Sequence, residues 1–558
     1  FFALLSAASA LNILVFLLGG QQHERAHMEY LAQALALRHH TVITVKPVLI
    51  PEEPRLVKPK LHLVREKTIK NMLSRRQYEP LQKVWSTIPW RAVYDVDEHL
   101  LPYYEAHNET CYKMLDSNLL QGLAHDNLDV MIAYAGNPCQ LALAHVLGVP
   151  VIYYDLEGLT DETLVASRSP MDLDYPLSNC FYSHSKNSLV SRLAAGLCLL
   201  REEVAQLGLP LISAAVSRRY RLLDGPITKA FREDYEIKKR FAPFPDVNEL
   251  KQSSALFFVN TDPLLEYERP LPPHVIPVGG LHLDLPRPLF APWNESVKAS
   301  KDGTIVVSFG THANAAGMTE KQAKAVYNTL VRLDTYRIFW SVGPALKLPG
   351  IDIEKAPAHI NITSFFPQLD LLAERRTRLL LTNGGPASLM EALAYGVPVV
   401  GIPLYGANDG NLKKAVYKGL GLVVSKDELS ESTLFRTIKT VLDSSKYKTS
   451  ARDMSRLWKS RSESAFERAL RHIEHVGKQR GASFIRPRLP NGRGGGVLGV
   501  LRRLSLDFFF LLSLLLILSL SISLVIVYLL VVGAVQICQR LLARSLSSHQ
   551  AEAKKKSN

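Results

Sequence analysis

The sequence predicts an α/β protein of two doubly wound parallel-sheet domains followed by one membrane-spanning helix. Three observations carry this. Apolar runs of strand length alternate with amphipathic helical stretches, and a Pro-rich polar passage divides that alternation in two. Residues 508–535 then form an unbroken apolar run without a charge, where about 20 residues suffice to cross a bilayer. With 558 residues, 47% hydrophobic and 21% charged, the chain has room for two cores and an ordinary globular composition. The net charge of +14 comes from basic residues that are scattered and thicken mainly around the C-terminal apolar run. No basic patch accompanies a recognition motif, so nucleic acid is not an expected partner.

The opening FFALLSAASA is apolar and ends in Ala8-Ser9-Ala10, the small-x-small pattern of a signal-peptide cleavage site; residues 1–10 read as a signal-peptide remnant. Basic residues flank the apolar run on both sides, Arg502 and Arg503 before it and Arg540, Arg544 and Lys554 to Lys556 after it. Their balance barely decides orientation, and the upstream signal sets it instead. The expectation is a single-pass type I protein of the endoplasmic reticulum membrane, with lumenal domains, a membrane-proximal linker over 486–507, the span over 508–535 and a cytosolic tail over 536–558. The ending Lys555-Lys556-Ser557-Asn558 resembles a dilysine retrieval signal. Asn108-Glu-Thr, Asn294-Glu-Ser and Asn361-Ile-Thr are glycosylation sequons on the expected lumenal side. Cys111, Cys139, Cys180 and Cys198 lack zinc-site spacing and can form disulfides in that compartment, with connectivity left open. Cys538 falls at the cytosolic edge of the span.

Residues 11–270 carry the β-like runs NILVFLL, HTVITV, LDVMIAY and PVIYYD and the helical stretch RAHMEYLAQALALR. PRPLFAPWNESVKASKDG marks an interdomain linker over 271–303. Residues 304–485 alternate cleanly, with strands expected at 304–309, 337–342, 359–364, 378–382 and 398–403, and helices near 319–333, 387–395, 430–443 and 447–476. Such alternation with right-handed crossovers makes a Rossmann-like sheet, whose ligands sit beyond the carboxyl ends of the strands. SFGTH, TNGGPAS and PLYGANDGN all fall at such ends.

The segment FFPQLDLLAERRTRLLLTNGGPASLMEALAYGVPVVGIPLYGANDGN resembles the nucleotide-sugar signature of the UDP-glycosyltransferases, particularly the animal UDP-glucuronosyltransferase-like group. RHHTV, VGGLHL, TIVVSFGTH and RGASFIRP are similar to other segments of that family, so the likeness spans nearly the whole chain. The resemblance implies the GT-B architecture: an N-terminal acceptor-binding domain over 11–270 and a C-terminal UDP-sugar-binding domain over 304–485. It implies inverting transfer of a sugar, glucuronate or glucose foremost, from a UDP-sugar to a hydroxyl of a small lipophilic acceptor. No cofactor or metal is implied, and a homo- or hetero-oligomer with related transferases is allowed.

Carried over position by position, the resemblance places Phe365 as the stacking face for uracil and Gln368 beside the ribose, with Pro367 fixing the loop between them. Glu391 becomes the carboxylate that accepts from the ribose diol. Gly384 and Gly385 let backbone approach the phosphates, Ser388 donates to a phosphate oxygen, and the following helix supplies amide dipoles. Ser308 and Gly310 of SFGTH belong to the same cleft. Three positions depart from the family. Asn383 stands where a His usually contacts the diphosphate, and the Asp-Gln pair that holds sugar hydroxyls falls on Ala407-Asn408, or on Asn408 and Asp409 after a one-residue slip. Tyr134 stands where a carboxylate usually orients the catalytic His. That His aligns with Glu24, beside His23; His23 is the expected general base, with His27 one helical turn on as its substitute. The departures leave an alternative open, a catalytically impaired relative acting as a nucleotide- or ligand-binding membrane subunit.

Overall fold

In the computed structural model, residues 10–17, 22–50, 63–91, 100–170, 189–207, 209–283, 285–311, 313–483, 485 and 506–555 are described, without the side chains of 22–24, 189–192, 506–511 and 544–555. The signal-peptide expectation over 1–10 falls almost wholly outside them.

Seven strands build the first sheet: β1 Asn12–Phe16, β2 Thr41–Pro47, β3 Val64–Ile69, β4 Val130–Tyr134, β5 Val151–Asp155, β6 Leu256–Val259 and β7 Val275–Pro277. Six build the second: β8 Gly303–Ser308, β9 Tyr336–Ser341, β10 Ile360–Thr363, β11 Thr377–Thr382, β12 Val399–Gly401 and β13 Gly421–Val423. The orders are β3-β2-β1-β4-β5-β6-β7 and β10-β9-β8-β11-β12-β13, and all named pairings are parallel. Strands covered on both faces need apolar side chains on both, which is why β1, β4, β6 and β8 read as continuous apolar runs. Alternate residues feed opposite faces: Leu14 and Phe16 belong to one core of the first sheet, Ile13 and Val15 to the other.

Helices relevant to the site are α1 Gln22–Leu37, α2 Ile88–Arg91, α3 Leu101–Leu115, α4 Pro138–Leu147, α5 Gln368–Ala373, α6 Pro386–Tyr395, α7 Asn408–Tyr417, α8 Ala465–Gln479 and α9 Leu506–Lys555. The expected helix over 447–476 is two helices, one ending at Lys459 and the other α8. Two expected boundaries shift. β7 lies inside the expected linker 271–303, so the first sheet extends to Pro277. And α8, expected with the second domain, buries Ala469, Leu470, Ile473 and Val476 in a core of the first sheet. His40 lies 3.4 Å from Glu474 there.

The two sheets are tied together by specific contacts. Trp90 of α2, 1% exposed, donates through Nε1 to Ala313 O at 3.2 Å and packs edge-on against Phe309. Lys414 of α7 is buried and reaches Glu266 Oε1 at 2.9 Å and Leu159 O at 3.1 Å, while Asn411 Nδ2 donates to Glu157 O at 2.9 Å. A disulfide joins Cys111 of α3 to Cys139 of α4. Asn108 Nδ2 donates to Leu222 O at 2.7 Å, and Asn361 Nδ2 is shut off from solvent.

α9 belongs to a second, separate unit of the chain. Its stretch Leu512–Ala543, 32 residues, is long and apolar enough to cross a membrane.

Candidate nucleotide and acceptor site

The order of the second sheet reverses between β8 and β11, and the chain leaves the carboxyl ends of these neighbours through Gly310 and Asn383. Such a switch point is where open α/β sheets leave a crevice for ligand. Ser308 pairs with Thr382 at the ladder's end. Asn383 is 1% exposed; its Oδ1 accepts from Gly385 N at 3.3 Å, and its Nδ2 is enclosed without a partner. A Cβ on Gly310 would stand 3.4 Å from that Nδ2, so the amide borders the β8 turn. Gly384 has φ +89°, and a Cβ there would meet Leu412 Cγ at 2.4 Å and Asn408 O at 3.0 Å. Only glycine lets this loop lie against the first turn of α7. The N-termini of α6 and α7 therefore converge on the loop, and both favour an anion. Asn408, the first residue of α7, is also 1% exposed with an enclosed, unpartnered Nδ2. Ala407 is buried, and Asp409 is ion-paired with Lys413 one turn along α7.

A second group of expected residues gathers beside this loop. Gln368, opening α5, donates through Nε2 to Ser388 Oγ at 3.0 Å and to Glu391 Oε2 at 2.6 Å. Glu391 lies less than two turns into α6, on the same face as Ser388 three residues earlier. Phe365 is 75% exposed although its neighbour Phe366 is 3% exposed, so Phe365 offers an open ring rather than filling a core. Ser388 is engaged by Gln368 rather than held toward the phosphate loop.

Opposite stands the first domain. The backbone of the expected base, His23, lies in the first turn of α1, and its side chain lies outside the described residues. His27, one turn later, is 7% exposed, its Nε2 2.7 Å from Tyr154 Oη at the end of β5. Burial, then the Asp155 carboxylate, raises the Tyr154 phenol far above its ordinary pKa, so it stays protonated. The His27 ring lies 5.1 Å from that of His282, whose Nε2 is 3.7 Å from Glu391 Oε1. Tyr134 is buried, its N–H donating to Gln140 Oε1 at 2.8 Å. Asp155, the neighbouring strand-end carboxylate, accepts from Thr160 Oγ1 and Thr163 Oγ1 at 2.6 and 2.5 Å and closes its own turn; burial raises its pKa to about 6.

The first sheet has its own switch point between β1 and β4, where a half-open recess has room for water-sized centres of about 30 Å³. Phe16, Leu49, Trp85 and Met114 give it an apolar wall, with His107 and Gln140 as polar groups. Burial, then the Arg219 charge, lowers the His107 pKa to about 4, so this imidazole is neutral at ordinary pH. Among the described residues no group of three or more His, Cys, Asp and Glu comes together as a metal would require.

Spacing alone left Tyr154 and His282 unmarked. Tyr154 is one of two tyrosines on opposite faces of the strand PVIYYD, and His282 follows the glycine pair of VGGLHL with no polar partner at a telling spacing.

The sequence profile of the UDP-glucoronosyl and UDP-glucosyl transferase family matches residues 227–528, more than half the chain. The chain belongs to this family. It is 26% identical over 390 residues to human 2-hydroxyacylsphingosine 1-beta-galactosyltransferase, covering 69% of this chain and 66% of that protein. It is 27% identical over 402 residues to UDP-glucuronosyltransferase 3A1 of Bos taurus, covering 70% of each. The match thus spans about two thirds of these relatives' length. Among solved structures, the glycotransferase of kitacinnamycin superposes with a TM-score of 0.53 at 14% identity, over 84% of this chain and 99% of that one. That likeness places the chain in the GT-B fold. In this family member the residues of the signature segment form the two adjoining clusters just described.

Proposed function

We propose that the chain transfers a sugar, glucuronate or glucose foremost, from a UDP-sugar to a hydroxyl of a small lipophilic acceptor, with inversion. The observation that carries this reading is the triangle of Gln368, Ser388 and Glu391, beside the open Phe365 ring and next to two converging helix N-termini. Uracil stacks on Phe365, the ribose diol donates to Glu391, and the diphosphate takes backbone N–H groups of the Gly384-Gly385 loop with the enclosed amides of Asn383 and Asn408. The relatives' names speak of galactosyl and glucuronosyl transfer, and the donor of this chain is chosen by the sugar end of the cleft. The acceptor enters the cleft at the recess by the β1–β4 switch point, whose apolar wall suits a lipophilic molecule.

His27, whose Nε2 lies 2.7 Å from the Oη of the protonated Tyr154, serves as general base in place of His23 and takes the acceptor proton. The acceptor oxygen then attacks the anomeric carbon from the face opposite the departing UDP. No metal takes part in this scheme. The domains are lumenal, α9 spans the endoplasmic reticulum membrane, and the sequons at Asn108, Asn294 and Asn361 lie on the lumenal side.

One observation favours a second reading, a nucleotide-binding relative without turnover. Tyr154, which stays protonated, holds the hydrogen-bonding place beside His27 where a carboxylate would stabilise the imidazolium. UDP release from a panel of UDP-sugars by membranes holding the full chain separates the two. Turnover lost in His27→Ala supports the transferase; UDP binding with no release from any donor supports the silent relative.

A further inference from the structure

We infer that His282 is a positioning residue for the ribose: it brackets Glu391 from the first domain and sets the enzyme's preference for a ribonucleotide over a 2′-deoxyribonucleotide. This rests on the UDP reading above.

Glu391 is held from two sides. Gln368 Nε2 binds its Oε2 at 2.6 Å from within the second domain, whereas Oε1 lies 3.7 Å from His282 Nε2, from the segment that follows β7. A carboxylate that must accept from two vicinal hydroxyls has to keep its plane fixed, because one rotation of its terminal torsion misaligns both acceptors. Gln368 alone leaves that rotation open; a second group on the other oxygen closes it.

His282 is itself fixed. Gly279 N–H donates to Thr261 O at 2.8 Å, and a Cβ on Gly279 would strike that oxygen at 2.5 Å, so the turn lies flat on the backbone after β6. Gly280 has φ +85°, and a Cβ there would stand 3.1 Å from Trp458 and 3.4 Å from Met390 Cε, the residue beside Glu391. Leu283 N–H closes the turn on Gly280 O at 3.0 Å. The paired glycines thus press the turn against α6 and deliver the imidazole over Glu391. Behind it, His27 lies 5.1 Å away ring to ring and is anchored to Tyr154. Both ring nitrogens of His282 are shut off from solvent without a hydrogen-bond partner. An enclosed donor left unsatisfied is costly, and a ribose hydroxyl or a small approach of Glu391 satisfies it.

The test is calorimetric binding of UDP and 2′-deoxy-UDP to the detergent-solubilised full chain. His282→Ala is expected to lower the preference for UDP over 2′-deoxy-UDP by about three- to tenfold, the worth of one hydrogen bond, while affinity for 2′-deoxy-UDP changes less than about twofold. His282→Gln, which keeps a donor at similar reach, restores most of the preference. Equal loss for both ligands would make His282 merely structural, and an unchanged preference would remove it from ribose recognition; either overturns the inference. Glu391→Gln and Phe365→Ala serve as controls. If Glu391→Gln abolishes the preference and His282→Ala does not, only the inference falls. If neither control alters UDP binding, the UDP reading itself falls.

Discussion

Gln368 and Glu391, 23 residues apart on successive helices, meet through a 2.6 Å hydrogen bond that fixes one carboxylate oxygen. Removing the carboxylate leaves an amide donor and a ribose diol without acceptors. Glu391→Ala is expected to weaken UDP binding by about 1–3 kcal/mol, the usual cost of stranding such groups. Calorimetry on the full chain checks it, and uridine, which carries the same ribose, should lose a similar amount.

Phe365 separates binding from stability. A ring 75% exposed contributes little to the fold, so Phe365→Ala should leave the thermal midpoint nearly unchanged. Loss of base stacking should cost about 1–3 kcal/mol in affinity for UDP. A large fall in the midpoint would show instead that the ring supports the loop.

Much of this architecture was legible because parallel strands are apolar on both faces. The runs at β1, β8 and β11 announce themselves, and the glycines and turn residues after them mark the crevice. What escaped notice follows from the same physics. β3, VREKTI, lies at the sheet's edge with charged residues exposed and lacks an apolar signal. β13 has three residues, too few for a pattern. The amphipathic face of α8 shows that the helix covers a core but not that the core belongs to the first sheet. That His27 meets Tyr154, more than a hundred residues away, is a contact that no local spacing reveals.

Asn383 tests the phosphate loop. Asn383→Asp keeps the size and the acceptor for Gly385 N–H but replaces the enclosed donor with negative charge. UDP affinity should fall by more than about tenfold, as a charge-assisted contact is exchanged for repulsion, while uridine affinity is spared. Equal loss for the two ligands would place Asn383 away from the diphosphate.

His107 predicts an acid limb of stability. Its folded pKa, about 4, lies below the unfolded value near 6.5, so the unfolded chain binds the extra proton first. The neutral ring's contribution is complete above pH 6.5, declines as pH falls, and is lost below about 4, for a total of roughly 3.5 kcal/mol at one pKa unit per about 1.4 kcal/mol. Urea midpoints measured between pH 7 and 4 should fall less steeply in His107→Gln than in the parent chain. Parallel curves would show that the ring is solvated.

Donor-dependent UDP release is the most direct measurement. Membranes holding the full chain are given UDP-glucose, UDP-glucuronate, UDP-galactose or UDP-N-acetylglucosamine with a mixture of lipophilic alcohols and phenols. The account predicts acceptor-dependent release from at least one donor, lowered about 100-fold or more by His27→Ala with UDP affinity retained, the loss expected of a general base. No release from any donor by a chain that still binds UDP, or full turnover in His27→Ala, would contradict it.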